Sequence, residues 1–266
     1  MEIIVCRTKE EASRRAADLV AACVRRNPKA VLGLATGSTP VAMYQCLIAD
    51  NKAKKISFKT VRTWNLDEYW GLPPAHDQSY RHFMDANLFD AIDIAKKNTH
   101  VLNGLAKDWR KEVAAYEAAI RKAGGIDLQV LGIGSDGHIA FNEPGSSLAS
   151  RTRIVSLTSQ TIKDNARFFK KAADVPKQAL SMGVGTILEA KRIVLLAFGA
   201  NKAGAVKGMV EGGVSQFCTA SALQMHPDAW VFCDAAAAAK LKLKKYYAWR
   251  GEEALRCELA DRSARK

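Results

Sequence analysis

Short apolar runs recur along this chain, and between them apolar residues fall at helical spacing. The runs are Glu2–Cys6, Ala30–Leu34, Val61–Leu66, Leu128–Ile133, Ile193–Phe198 and Ala229–Cys233. Most are nearly continuous rather than alternating, the pattern of parallel strands buried on both faces. After the first run, Thr8 and Glu11 form a capping box, and Ala12, Ala16, Leu19, Val20, Cys23 and Val24 then line one helical face. Asp108 opens a second helix with Val113, Tyr116 and Ile120 inward, closed by Gly124 and Gly125. Ala235–Ala239, leading into Lys240, reads as another helix start. Strands alternating with helices predict an α/β fold: a doubly wound, mostly parallel, modified Rossmann-like sheet with helices on both faces. No repeat or linker interrupts the pattern, so residues 1–266 read as a single domain.

Composition narrows the setting. Hydrophobic residues make up 48% of the chain, yet no run approaches the ~18 apolar residues of a membrane span. The N-terminus lacks the apolar stretch of a secretory signal, and the tail Asp261–Lys266 is no obvious address, so a cytoplasmic protein is expected. The six cysteines form no CxxC pair, and the five histidines (76, 82, 100, 138 and 226) are scattered, which argues for reduced thiols and against zinc. The formal charge of +13 is spread out, apart from Lys240–Lys245 and the tail. Without a zinc finger, an RNA-binding signature or a basic zipper, it reads as a basic surface around an anion site, not a nucleic-acid binder.

Ligands of such sheets bind beyond the carboxyl ends of strands, and three segments there carry candidate chemistry. In the first, Thr36, Gly37, Ser38 and Thr39 form a small polar turn between a strand and a helix. Thr39 suits the helix cap and Pro40 its first position. Backbone N–H groups and hydroxyls converging on a positive helix end suit a phosphate, although the Walker lysine is missing. In the second, a strand ends in Asp67 and Glu68 beside Trp64, Tyr69 and Trp70. A carboxylate desolvated among aromatics becomes a better proton acceptor, although a turn-capping role fits the same residues. In the third, Gly132, Gly134 and Gly137 match a dinucleotide fingerprint literally, but the loop runs on into Asn142-Glu143-Pro144-Gly145 instead of opening a helix. It also holds Asp136, His138 and Glu143, an imidazole with two carboxylates to orient it and stabilise its charged form. Arg167 and Lys202 are further candidates for an anion, with Asn201 able to cap the helix whose first turn holds Lys202.

The texts LATGSTP, NLDEYWGLP, SYRHFM, GIGSDGHIAFNEPGSSLASRTR, VPKQALSMGVGTIL and LQMHPDAWVFCD span about residues 30–235. Through them the chain resembles the glucosamine-6-phosphate deaminase family. The 6-phosphogluconolactonases carry a similar Gly-Asp-Gly-His loop without the Phe-Asn-Glu-Pro continuation. The resemblance implies an enzyme that isomerises an amino-sugar phosphate and releases ammonia, with neither cofactor nor metal. It casts Asp67 as the C2 base, and His138, supported by Asp136 and Glu143, as the ring-opening residue. Thr36, Gly37, Ser38, Thr39, Arg167 and Lys202 would hold the phosphate.

The resemblance further implies a homo-oligomer, since many long members are hexamers. Allosteric members bind N-acetylglucosamine 6-phosphate between subunits. Ser146 and Arg153 match that effector site, but Val155 stands where a lysine is expected, and the tyrosine has no secure counterpart around Tyr246, Tyr247 and Ala248. Competing readings are a 6-phosphogluconolactonase, a non-catalytic sugar-phosphate sensor and a dinucleotide-dependent reductase.

Overall fold

The computed structural model describes residues 1–166, 169 and 171–260. In chain order the strands are β1 (Glu2–Cys6), β2 (Val31–Leu34), β3 (Arg62–Asn65), β4 (Asp67–Tyr69), β5 (Thr99–His100), β6 (Leu128–Leu131), β7 (Arg153–Ser156), β8 (Gln178–Ser181), β9 (Ile193–Ala197) and β10 (Ala229–Asp234). The helices are α1 (Lys9–Arg26), α2 (Val41–Lys52), α3 (Tyr80–Asn87), α4 (Trp109–Lys122), α5 (Ser159–Ala166), α6 (Val184–Leu188), α7 (Ala203–Glu211) and α8 (Lys244–Ala260).

Seven strands form a parallel sheet in the order β1-β10-β9-β6-β2-β3-β5. From β2 the chain steps through β3 to the β5 edge, then returns to β6 and works outward through β9 and β10. The order reverses between β2 and β6, where Leu32 pairs with Leu128. With the usual right-handed crossovers, this change of direction sends the helices before and after β5 to opposite faces. The apolar runs are buried as their continuity requires: all of β2, β6 and β9 is buried. One core cluster extends from Ile3 to Leu255. At one edge β1 pairs with β10 along its whole length, from Glu2 opposite Trp230 to Cys6 opposite Asp234. α8 covers β1 so closely that a Cβ on Gly251 would lie 2.1 Å from the Ile3 carbonyl oxygen.

Six of the seven main-sheet strands and the first helix match their sequence patterns closely; the two-residue β5 has no counterpart among the apolar runs. Thr8 Oγ1 accepts from Glu11 N at 3.2 Å, but Glu11 Oε2 accepts its return bond from Arg7 N at 3.0 Å, one residue before the usual partner. Asp108 caps α4 through Arg110 N at 2.9 Å.

Three expected starts move. Thr39 does not cap α2, because residues 38–40 form a turn and Pro40 O is the first acceptor, taking Tyr44 N at 2.9 Å. Asn201 does not cap α7; the tight turn Ala200–Lys202 intervenes, and Lys202 closes it before the helix begins. Ala235–Ala239 is a run of turns, since Asp234 Oδ1 captures Ala237 N at 2.7 Å and Asp234 O takes Ala238 N; the helix waits until Lys244.

A second sheet has no counterpart in the apolar pattern. β4, β8 and β7 pair antiparallel in that order, with Asp67 opposite Ser181 and Arg153 opposite the same Ser181. Its small apolar cluster comprises Tyr69, Leu72, Phe141, Leu157 and Ala179, with Val155 packed against it.

Candidate active site

Because the seven main strands run parallel, their carboxyl ends share one edge. The turn after β2, Asp67 after β3, the glycine-rich loop after β6 and the turn after β9 leave from four neighbouring strands on that edge. They bracket the reversal between β2 and β6, where open α/β sheets bind ligands.

The neighbouring acids Asp67 and Glu68 are separated by strand geometry, since successive side chains of β4 point opposite ways. Glu68 is 2% exposed and fully engaged. Its Oε2 accepts from Ser79 Oγ at 2.7 Å and Arg81 N at 3.0 Å, and its Oε1 from Tyr80 N at 3.0 Å and Tyr69 N at 2.9 Å. It anchors the positive start of α3. Asp67 is 6% exposed, and among the described residues no group donates a hydrogen bond to its carboxylate. Burial, and then the charge of Glu68, push Asp67 up to about 8. Burial also pushes Glu68 up, opposed by its four donors. Of the two acids, Asp67 is the one equipped to take a proton.

The loop after β6 folds back on itself. Gly134 N donates to His138 O at 2.8 Å, and His138 N donates to Asp136 Oδ1 at 3.1 Å. The ring lies over Gly134, where a Cβ would come within 2.4 Å of Nδ1 and Cε1. His138 Nδ1 lies 2.7 Å from Asp136 Oδ1 and 3.5 Å from Glu143 Oε2. These contacts are close but poorly aligned, so by direction Nδ1 and Glu143 Oε2 both lack a hydrogen-bond partner. The His138 contact is the main influence holding Asp136 down, at about 2, which keeps it ionised beside the ring. Glu143 turns its other oxygen to Thr161 Oγ1 at 2.5 Å, Thr158 Oγ1 at 3.2 Å and Thr158 N at 3.3 Å. Donor atoms of Asp136, His138 and Glu143 all lie within 4.8 Å of one another. That spacing could hold a cation, but it equally orients one imidazole between two carboxylates.

Ala140 takes φ 50°, a costly conformation for a residue with a Cβ. The strain is held by bonds that follow it: Phe141 N donates to Ser181 Oγ at 3.1 Å, and Asn142 Nδ2 to Met182 O at 2.9 Å. Thr219 adds Oγ1 to Asn142 O at 3.0 Å and accepts from Ile139 N at 3.2 Å. Ser181, Thr158, Thr161 and Thr219 were not singled out from sequence. Only Thr158 and Thr161 carried a signal, hydroxyls three apart at a helix start, with Thr161 N donating to Thr158 Oγ1 at 3.2 Å.

The turn after β2 holds Gly37 at φ 90°, with Gly37 and Ser38 exposed and Thr36 and Thr39 half-buried. Among the described residues no hydrogen bond engages the hydroxyls of Thr36, Ser38 or Thr39. Lys202 is half-buried on the neighbouring turn after β9. Arg167 lies outside the described residues. Ser146 and Arg153 meet: Arg153 Nη2 donates to Ser146 Oγ at 3.1 Å and Nη1 to Asn142 Oδ1 at 2.9 Å, both neutral acceptors. Burial lowers Arg153 from its usual value. Among the described residues no helix is long and apolar enough to cross a membrane.

A buried acid to which no described residue donates, a histidine between two carboxylates and an anion-suited turn at a sheet reversal together suit proton transfer on an anionic substrate. Residues 7–232 match the family of glucosamine-6-phosphate isomerases and 6-phosphogluconolactonases, and the chain belongs to that family. Within it, similarity is high to glucosamine-6-phosphate deaminases. That of Hahella chejuensis is 53% identical over 97% of this chain and 98% of its own length. That of Clostridioides difficile is 50% identical over 92% and 99%. The solved structure of a monomeric glucosamine-6-phosphate deaminase matches with a TM-score of 0.88 at 44% identity, covering 90% of this chain and all of that one. The 6-phosphogluconolactonase of Trypanosoma brucei shares the fold, with a TM-score of 0.75 at 19% identity over 90% and 98%.

Proposed function

We propose that this chain deaminates and isomerises D-glucosamine 6-phosphate to D-fructose 6-phosphate and ammonia, as a single domain needing neither metal nor cofactor. The observation that carries this reading is the pair of unlike acids on β4: Glu68 saturated with donors, and Asp67 buried with none among the described residues.

In the proposed course, the turn Thr36–Thr39, Lys202 and Arg167 bind the 6-phosphate. His138, flanked by Asp136 and Glu143, moves the anomeric hydroxyl proton to the ring oxygen, which opens the ring. Asp67 takes the proton from C2 and returns it to C1 while the 2-amino group gives up a proton and O1 gains one, leaving an imine at C2 and a hydroxyl at C1. Water adds to that carbon and ammonia leaves, so no hydride moves and the reaction is redox-neutral overall. The six cysteines are unpaired thiols, which supports a reducing, cytoplasmic setting. The expectation of an oligomer meets a monomeric solved relative, and sedimentation of the purified chain decides between them.

The direct test is incubation of the purified chain with glucosamine 6-phosphate, measuring ammonia and fructose 6-phosphate in equal amounts. Acid release from 6-phosphogluconolactone without ammonia release from the amino sugar would instead identify a lactonase.

A further inference from the structure

Glu68 is bound more tightly than a surface helix cap needs. It is buried, its four donors come from residues 69, 79, 80 and 81, and Ser79 is itself fully buried. These bonds close the segment between β4 and α3 into a loop whose two ends meet at one carboxylate. Asp67 precedes Glu68 on a three-residue strand, so its position depends on that closure. We propose that Glu68 is a positioning residue for proton transfer at Asp67: it clamps β4 to the start of α3 and keeps a fixed negative charge one residue from the acceptor. The proposal rests on the reading of Asp67 as the base.

Among the described residues, Glu68 is the charged group that raises Asp67. The other described titratable groups coupled to it are Tyr69, Tyr80 and Tyr116, all pushed up by burial and therefore neutral. Arg81 turns its guanidinium away, to Asp85 at 2.8 Å and Thr99 Oγ1 at 2.8 Å. On the facing strand β8 the partner of Asp67 is the uncharged Ser181. Burial raises Asp67 most, and Glu68 adds to it.

The test compares Glu68→Gln and Glu68→Asp with the parent in kcat and KM across pH, with far-UV circular dichroism as the folding check. Glu68→Gln removes the charge, so the acid limb of kcat/KM should move to lower pH. As the base weakens, the plateau kcat should fall roughly three- to tenfold with KM within about twofold. Glu68→Asp keeps the charge but shortens the reach to the donors. Its acid limb should stay in place while kcat falls. A parental acid limb and kcat in Glu68→Gln would overturn the proposal. If that variant does not fold, a parental kcat in Glu68→Asp overturns it. Asp67→Asn measured alongside separates the two readings. C2 proton exchange persisting in Asp67→Asn removes the base assignment itself; exchange lost there, with Glu68→Gln parental, removes only the role of Glu68.

Discussion

Asp67 gives a prediction that links stability to chemistry. Its folded value of about 8 lies far above the 3.8 of an unperturbed aspartate. The folded state therefore holds a proton that the unfolded chain releases. For a raised acid the stabilising contribution is complete below the unfolded value and is lost as pH climbs to the folded one. Between pH 5 and 7 the parent should lose about 1.4 kcal/mol per pH unit from this group, or about 2.7 kcal/mol in all. Asp67→Asn cannot ionise and escapes that loss. Urea denaturation at pH 5, 6 and 7, followed by circular dichroism, should show the variant gaining on the parent by about that amount. The same variant should lose at least ~100-fold in C2 proton exchange, the lower range for a positioned general base. A stability difference that stays flat over these two units would refute the buried, undonated state assigned to Asp67.

Other outcomes follow from the same site. Gly134→Ala places a Cβ 2.4 Å from the His138 ring, so kcat should fall roughly 100-fold with the fold retained, and unchanged kcat would show that the ring does not act from this position. Lys202→Ala and Arg167→Ala should mainly raise KM, because phosphate contacts are made in ground and transition states alike. If both variants bind inorganic phosphate and substrate as the parent does, the pocket is misassigned. N-acetylglucosamine 6-phosphate should activate little, because Val155 packs against the Tyr69–Phe141 cluster and offers no charge. One missing charge-assisted bond is about 1.5–3 kcal/mol, or roughly 10- to 100-fold in affinity. A sigmoidal rate curve made hyperbolic by the effector would contradict this.

The sequence made the main sheet legible because its strands are buried on both faces, so continuous apolar runs such as Ile193–Ala197 announce themselves. It did not disclose the second sheet. β4 has three residues and β7 is only half-buried, too short and too mixed to set a period. The candidate acids and His138 were visible as residue types after strands. What separated Asp67 from Glu68 was tertiary: the donors from Ser79, Tyr80 and Arg81 lie on a helix start far from any local signal. The misplaced starts at Thr39, Asn201 and Ala235 share one cause. Local capping chemistry was read correctly as turn chemistry, but turns and helix caps use the same residues.

The pairing of β1 with β10 carries a consequence for how the chain is made. Glu2 is translated long before its partner Trp230, with more than two hundred residues made between them. At ~5–20 residues per second, that interval is on the order of 10–50 s. Throughout it the apolar residues Ile3 and Ile4 have neither their neighbouring strand nor the cover of α8. The nascent protein must therefore keep β1 from pairing elsewhere until β10 has been made.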